Sequence, residues 1–98
     1  MKVRFEDAAL DRLETDAEFT AGFQASIVTA FRRRMQQIRS APDERTFYAL
    51  KSLHFEKLRR SKPGDHSMRL NDQWRLIVRF EGEGEKKTVV VVKITDYH

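Results

Sequence analysis

The sequence predicts an α+β domain: a mainly antiparallel sheet of three or four strands, with N-terminal helices packed on one face, in the order β-α-α-β-β-β. Three observations carry this. The hydrophobic period is near 3.6 in the first half and near 2 in the second. Asn71-Asp72-Gln73 separates two alternating segments, as a hairpin connection does. Thr88–Ile94 is a nearly unbroken β-branched run, the pattern of a strand covered on both faces.

The elements follow in order. Lys2–Glu6 reads as a short strand, with Val3 and Phe5 alternating against charged neighbours. Asp7–Leu13 has apolar residues loosely on one side, enough for two helical turns. Thr15-Asp16-Ala17-Glu18 fits a capping box, with Thr15 as N-cap and Glu18 at N3. The helix expected from it runs to about Ser40, with Phe19, Phe23, Ile27, Ala30, Phe31 and Ile38 facing the core. Pro42 ends it. Asp43–Leu50 forms another short helix, with Phe47, Leu50 and Leu53 inward. His66–Leu70 and Trp74–Phe80 alternate as strands. A three-residue loop pairs Leu70 with Trp74 and Arg69 with Arg75, which sets both apolar rows on one face. Arg69, Arg75 and Arg79 then share the other. Glu81–Glu85 is a glycine-containing turn.

A chain of 98 residues suits one domain over 1–98. A composition 40% hydrophobic and 35% charged is that of a globular protein rather than a disordered one. With no cysteine, disulfides and zinc–thiolate sites are excluded. No stretch approaches a membrane span and the N-terminus does not read as a signal peptide, so the expected location is the cytoplasm, with no membrane partner. The net charge of +4 is unevenly placed. Residues 1–31 carry three basic and six acidic groups, residues 32–79 thirteen and five, and residues 80–98 three and four. A basic middle attracts polyanions by phosphate contact and counterion release. The Arg32-Arg33-Arg34 run, being helical, reads first as a solvated face.

Cutting RNA without a metal needs a base for the 2′-hydroxyl proton, an acid for the departing 5′-oxygen, and cations for the charge gathering on phosphorus. His54 and His98 are of the type that exchanges protons near neutral pH. Asp96 is a base or an orienter of histidine, and Tyr97 donates a hydrogen bond or stacks on a base. Arg and Lys clamp phosphate. His54, His66 and His98 lack metal-ligand spacing, so neither metal nor cofactor is expected.

Leu53-His54-Phe55-Glu56-Lys57-Leu58, Ser67-Met68-Arg69-Leu70-Asn71-Asp72-Gln73-Trp74-Arg75 and Asp96-Tyr97-His98 together resemble the HigB branch of the RelE/ParE toxin superfamily. The resemblance covers the C-terminal half well; the N-terminal half agrees only in element order. It implies a RelE-like fold and a type II toxin that enters the ribosomal A site and cuts the mRNA there. It implies a cognate antitoxin, often a helix-turn-helix protein, and operator DNA bound only through the toxin–antitoxin complex. By position it makes His54, Lys57, Arg75, Asp96, Tyr97 and His98 the catalytic candidates. Arg59, Arg60, Lys62, Arg69 and Asn71 are then the RNA or phosphate contacts. Aligned on Leu58, the family lysine falls on Arg59, so Lys57 stands as the catalytic candidate and Arg59 as a phosphate contact. In mechanism, Asp96 or His98 assists removal of the 2′-hydroxyl proton and His54 serves the leaving side. A gyrase-inhibiting ParE-like toxin and a non-catalytic RNA-binding module are the alternatives.

Overall fold

The computed structural model describes residues 1–59 and 63–96. Strand β1 (Lys2–Phe5) leads to α1 (Ala8–Thr15) and α2 (Ala25–Ser40), then to the short α3 (Arg45–Ala49) and one 3-10 turn (Lys51–Leu53). Strands β2 (Glu56–Lys57), β3 (Asp65–Arg69), β4 (Trp74–Glu81) and β5 (Thr88–Asp96) follow, with a second 3-10 turn (Gly84–Lys86) before the last. The sheet has five strands in the order β1-β5-β4-β3-β2, two more than the minimum the sequence suggests. Strands β2 to β5 form an antiparallel meander, and β1 adds to β5 in parallel. The fold class is the predicted one, α+β with helices on one face.

One helix expected over Thr15–Ser40 is in fact a loop followed by α2. Thr15 is the last residue of α1 and caps nothing; Asp7 caps α1 instead, its carboxylate accepting from the Ala9 amide at 2.8 Å. The Asp16 carboxylate accepts from the Glu18 amide at 3.0 Å, a local bond that competes with helix. Ala21 and Gly22 then take positive φ, 53° and 82°, which no right-handed helix accommodates. Phe19 and Phe23 still pack against the core, from this loop rather than from a helix. Arg32 ties the break down: its guanidinium donates to the carbonyls of Leu13, Asp16 and Phe19 at 2.9 to 3.3 Å. These are carbonyls at the end of α1 and just beyond, which a helix leaves without internal partners.

The core lies between α1, α2 and one sheet face. Leu13, Phe31, Met35 and Ile38 meet Met68, Leu76, Val78, Val89 and Val91 there, all fully buried. Each such side chain contributes about 1.5–3 kcal/mol by leaving water. The hairpin has the predicted register, Arg69 opposite Arg75, and Leu70 donates to the Trp74 carbonyl at 2.9 Å. Asn71 builds the turn, its side-chain oxygen accepting from the amides of Gln73 and Trp74.

Strand β5 carries an irregularity. Ile77 pairs with Lys93, but Val78 pairs with Val91, so Val92 is an extra residue in the ladder. Such a bulge exchanges the faces of the residues that follow it. Asp96 therefore pairs with Trp74 and Thr95 with Arg75.

Candidate functional site

On the sheet face away from the helices, the residues in register are Asp65, Ser67 and Arg69 of β3 with Arg79, Ile77 and Arg75 of β4. Glu56 of β2 joins this row opposite Ser67. The three arginines do share a face, as expected, but they do different things. Arg79 donates to Asp65 at 2.9 Å and to Glu6 at 2.8 Å. Asp65 is only 3% exposed, and it, with Glu6, holds the Arg79 guanidinium above its usual range. Arg79 is thereby a structural cation. Arg69 pairs with Asp72 in the hairpin turn. Arg34 donates to the Arg69 carbonyl at 2.8 Å, and burial chiefly, with Arg33 and Arg69 nearby, lowers its affinity for a proton.

Arg75 is the centre of the remaining cluster. Its guanidinium donates to the Glu56 carboxylate at 3.0 Å and to the His54 carbonyl at 3.3 Å, with the side chain 12% exposed. A charge so withdrawn from water acts in a lower dielectric than a surface arginine and attracts anions more strongly. His54 follows the 3-10 turn with φ 46° and ψ 48°, a left-handed conformation rare outside glycine. That backbone is fixed by its neighbours: Leu53 is fully buried and Phe55 nearly so. Phe55 lies flat on His66, ring centres 5.0 Å apart, and edge-on to Phe80. The strained residue is thus held between two anchors, an arrangement that recurs where a side chain must be presented in one orientation.

Of the residues named from sequence, His54 and Arg75 come together here. Lys57 is exposed on β2 but pairs with His66, whose ring lies in the aromatic cluster on the opposite sheet face. Asp96 is also turned toward that opposite side: it pairs with Trp74 and accepts from the Gln73 side chain at 2.9 Å. Beside it, Phe23, Gln24, Ile27, Gln73 and Trp74 line a cleft of ≈ 340 Å³. Arg59 is exposed. Arg60, Lys62, Tyr97 and His98 lie outside the described residues.

Glu56 is the site residue that sequence reasoning passed over. The signal was available: it lies between His54 and Lys57 in the motif, and alternation sends it to the other face from Lys57. What was not readable was its partner two strands away.

A larger cleft, ≈ 450 Å³, opens between the start of α3 and Lys87. Its charges are matched within it, Lys87 to Glu44 and Arg45 to Asp43. Among the described residues no three His, Asp or Glu side chains gather as metal ligands would. None of the described helices is long and apolar enough to cross a membrane.

With this geometry in view, comparison with known proteins relates the chain to a family and to a fold. A family model described as the RelE-like toxin of type II toxin–antitoxin system HigB matches residues 3–98. Among solved structures, the chain is similar to the YoeB/ParE toxin from Agrobacterium tumefaciens, with a TM-score of 0.64, 18% identity and 100% of each chain covered. At that identity the likeness is one of fold. No curated protein sequence matches.

Proposed function

The chain belongs to the HigB-like family, the RelE-like toxins of type II toxin–antitoxin systems, and from that premise we propose that it is an endoribonuclease that cuts mRNA on the ribosome. An antitoxin partner is implied by the system type itself. The observation that carries the nuclease reading is the Arg75 guanidinium held between the Glu56 carboxylate and the His54 carbonyl. A gyrase-binding toxin has no chemical need for a withdrawn cation held against a carboxylate next to a histidine of strained backbone.

The chemistry is internal transesterification. The 2′-oxygen loses its proton and attacks phosphorus, and the P–O5′ bond breaks as that oxygen gains a proton. No oxidant and no cofactor enter. Arg75 receives the scissile phosphate and stabilises the added negative charge. Glu56 occupies the guanidinium in the resting protein. An arriving phosphate competes for the same N–H groups and releases the carboxylate to accept the 2′-hydroxyl proton. His54, oriented by its left-handed backbone, protonates the leaving oxygen. Asp96, turned to the other sheet face, stands apart from this cluster, so proton transfer is assigned to Glu56 and His54, and Tyr97 and His98 are assigned to positioning the RNA. Lys57, Arg59, Arg60, Lys62, Arg69 and Asn71 contact flanking phosphates. The toxin acts in the cytoplasm, the antitoxin covers the basic face, and operator DNA is reached only through the complex.

The test is induction in cells with primer-extension mapping of mRNA. Cleavage within translated codons, lost in Arg75→Ala and His98→Ala, is expected. Intact mRNA with DNA damage instead would move the protein to the gyrase-inhibiting branch.

A further inference from the structure

The Arg32-Arg33-Arg34 run of α2 does not form one uniform solvated face. Arg32 is occupied by the carbonyls at and beyond the end of α1. Arg34 is half-buried: its Nε donates to the Arg69 carbonyl at 2.8 Å and its Nη1 to the Gln37 side-chain oxygen at 3.0 Å. Neither acceptor carries a charge, so this cation is withdrawn from water with no carboxylate bonded to it. Arg33 and Arg69 stand close enough to weaken its hold on a proton further. Arg33 itself is exposed, and its guanidinium makes no ion pair among the described residues.

The rest of the helix surface says what these cations suit. Ser26, Thr29, Arg33, Gln36 and Ser40 are all exposed and recur at intervals of three and four, which makes one stripe along α2. Ile27, Phe31, Met35 and Ile38 bury the other side. The helix holds four arginines and no acid in its 16 residues. Hydroxyls, an amide and a guanidinium, with no carboxylate among them, are the groups that contact phosphate oxygens along a nucleic-acid backbone. A protein interface has apolar anchors at its centre, and this stripe has none. The stripe is also rigid: Thr29 and Gln36 lie about 10 Å apart along the axis, at 1.5 Å per residue.

We propose that this stripe, with Arg33 at its centre and the half-buried Arg34 beside it, binds the phosphate backbone of a second RNA segment. α2 lies in the helix layer and the Arg75–Glu56 pair on the far face of the sheet, so this contact is made to RNA other than the strand being cut. The proposal rests on the nuclease reading for its biological meaning, since a toxin that works on the ribosome is then held there by RNA it does not cleave. The binding itself is measured without cleavage.

The experiment follows binding of the purified toxin to a short fluorescent RNA duplex by anisotropy, over a series of salt concentrations. A duplex splays out no bases and reports backbone contact. Arg33→Gln is expected to weaken binding about tenfold and to lower the salt slope by about 0.7–0.9, the share of one phosphate contact. Its thermal midpoint stays that of the parent, because the side chain holds nothing else in place. Lys86→Gln removes an exposed cation from the turn at the other end of β4 and is expected to bind as the parent does. Equal losses in the two variants would reduce the effect to net charge and overturn the proposal. So would an Arg33→Gln protein with the parent's affinity and slope, or one that keeps RNA and loses only its antitoxin, which would give the stripe to a protein partner. A parallel titration with ribosomes lacking mRNA names the source of the phosphates. The same loss there assigns them to ribosomal RNA; a loss on the duplex alone assigns them to another folded RNA. A parent that binds the duplex through Arg33 yet leaves mRNA intact on ribosomes keeps the second contact and removes the nuclease reading. A parent that cuts mRNA, with Arg33→Gln binding RNA equally well, does the reverse.

Discussion

Arg75 and Glu56 meet across three strands: the guanidinium leaves β4, passes the position of Ser67 on β3, and bonds the carboxylate on β2 at 3.0 Å. The pair joins the meander's edge to its interior and leaves a cation and a carboxylate beside His54. If both act on one transition state, their losses will not add. Glu56→Gln is expected to slow mRNA cleavage about 10²- to 10⁴-fold, the worth of a positioned base. Arg75→Ala is expected to cost about 10²- to 10³-fold, and the double variant less than the product. The measurement is the single-turnover rate on programmed ribosomes. A Glu56→Gln protein as fast as the parent would return the base to the C-terminal residues.

The His54 backbone separates strain from chemistry. Its φ of 46° carries a cost for any side chain with a Cβ, about 1–2 kcal/mol for a non-glycine residue. His54→Gly should therefore unfold in urea at a concentration at or above that of His54→Ala, the difference being about 1 kcal/mol. Both variants should lose cleavage alike. A glycine variant less stable than the alanine one would mean that the left-handed conformation is not strained.

Arg79 is expected to matter for stability and little for RNA. Removing its charge breaks the ion pair that Arg79 makes with Asp65, which is 3% exposed. Arg79→Met should cost up to about 3 kcal/mol, the low end for a broken buried pair because Arg79 retains some contact with solvent. Denaturant melts read this directly. A variant as stable as the parent, yet defective in RNA binding, would reassign Arg79 to the site.

Asp43 gives a pH signature. The Arg45 side chain, then the Arg45 amide, hold its carboxyl at about 2, below the ordinary 3.8. A depressed carboxylate stabilises the fold above its unfolded value, and that contribution is lost as pH falls from about 4 through about 2. A carboxyl-carbon NMR titration should find Asp43 low in the parent and moved back toward 3.8 in Arg45→Ala. An Asp43 that titrates identically in both proteins would show that the pair at the start of α3 is not formed in solution.

Much of the second half was legible in the sequence because two local signals agreed there. Alternation on both sides of Asn71-Asp72-Gln73 and the parity of a three-residue loop leave one register, and Arg69 does face Arg75. The first half misled because a capping pattern is a local preference. Thr15–Glu18 satisfies it on paper, while the loop geometry at Ala21 and Gly22, secured by Arg32, places the helix start ten residues later at Ala25. The parallel addition of β1 to β5 was not readable, since pairing between chain ends leaves no trace in period.

The sequence by itself determined the chemical inventory, the helix-then-strand order and the face shared by Arg69, Arg75 and Arg79. Only the tertiary structure decided which side of the sheet receives Asp96 and which carboxylate stands beside Arg75. The reason is physical in both cases. Val89-Val90-Val91-Val92 is uniformly apolar and branched, so it carries no alternation from which a bulge can be located. The extra residue at Val92 then turns Asp96 toward Trp74 rather than Arg75. Glu56 and Arg75 are 19 residues apart and on strands that are not neighbours, so their meeting depends on the reach of a guanidinium across β3, which no spacing rule encodes.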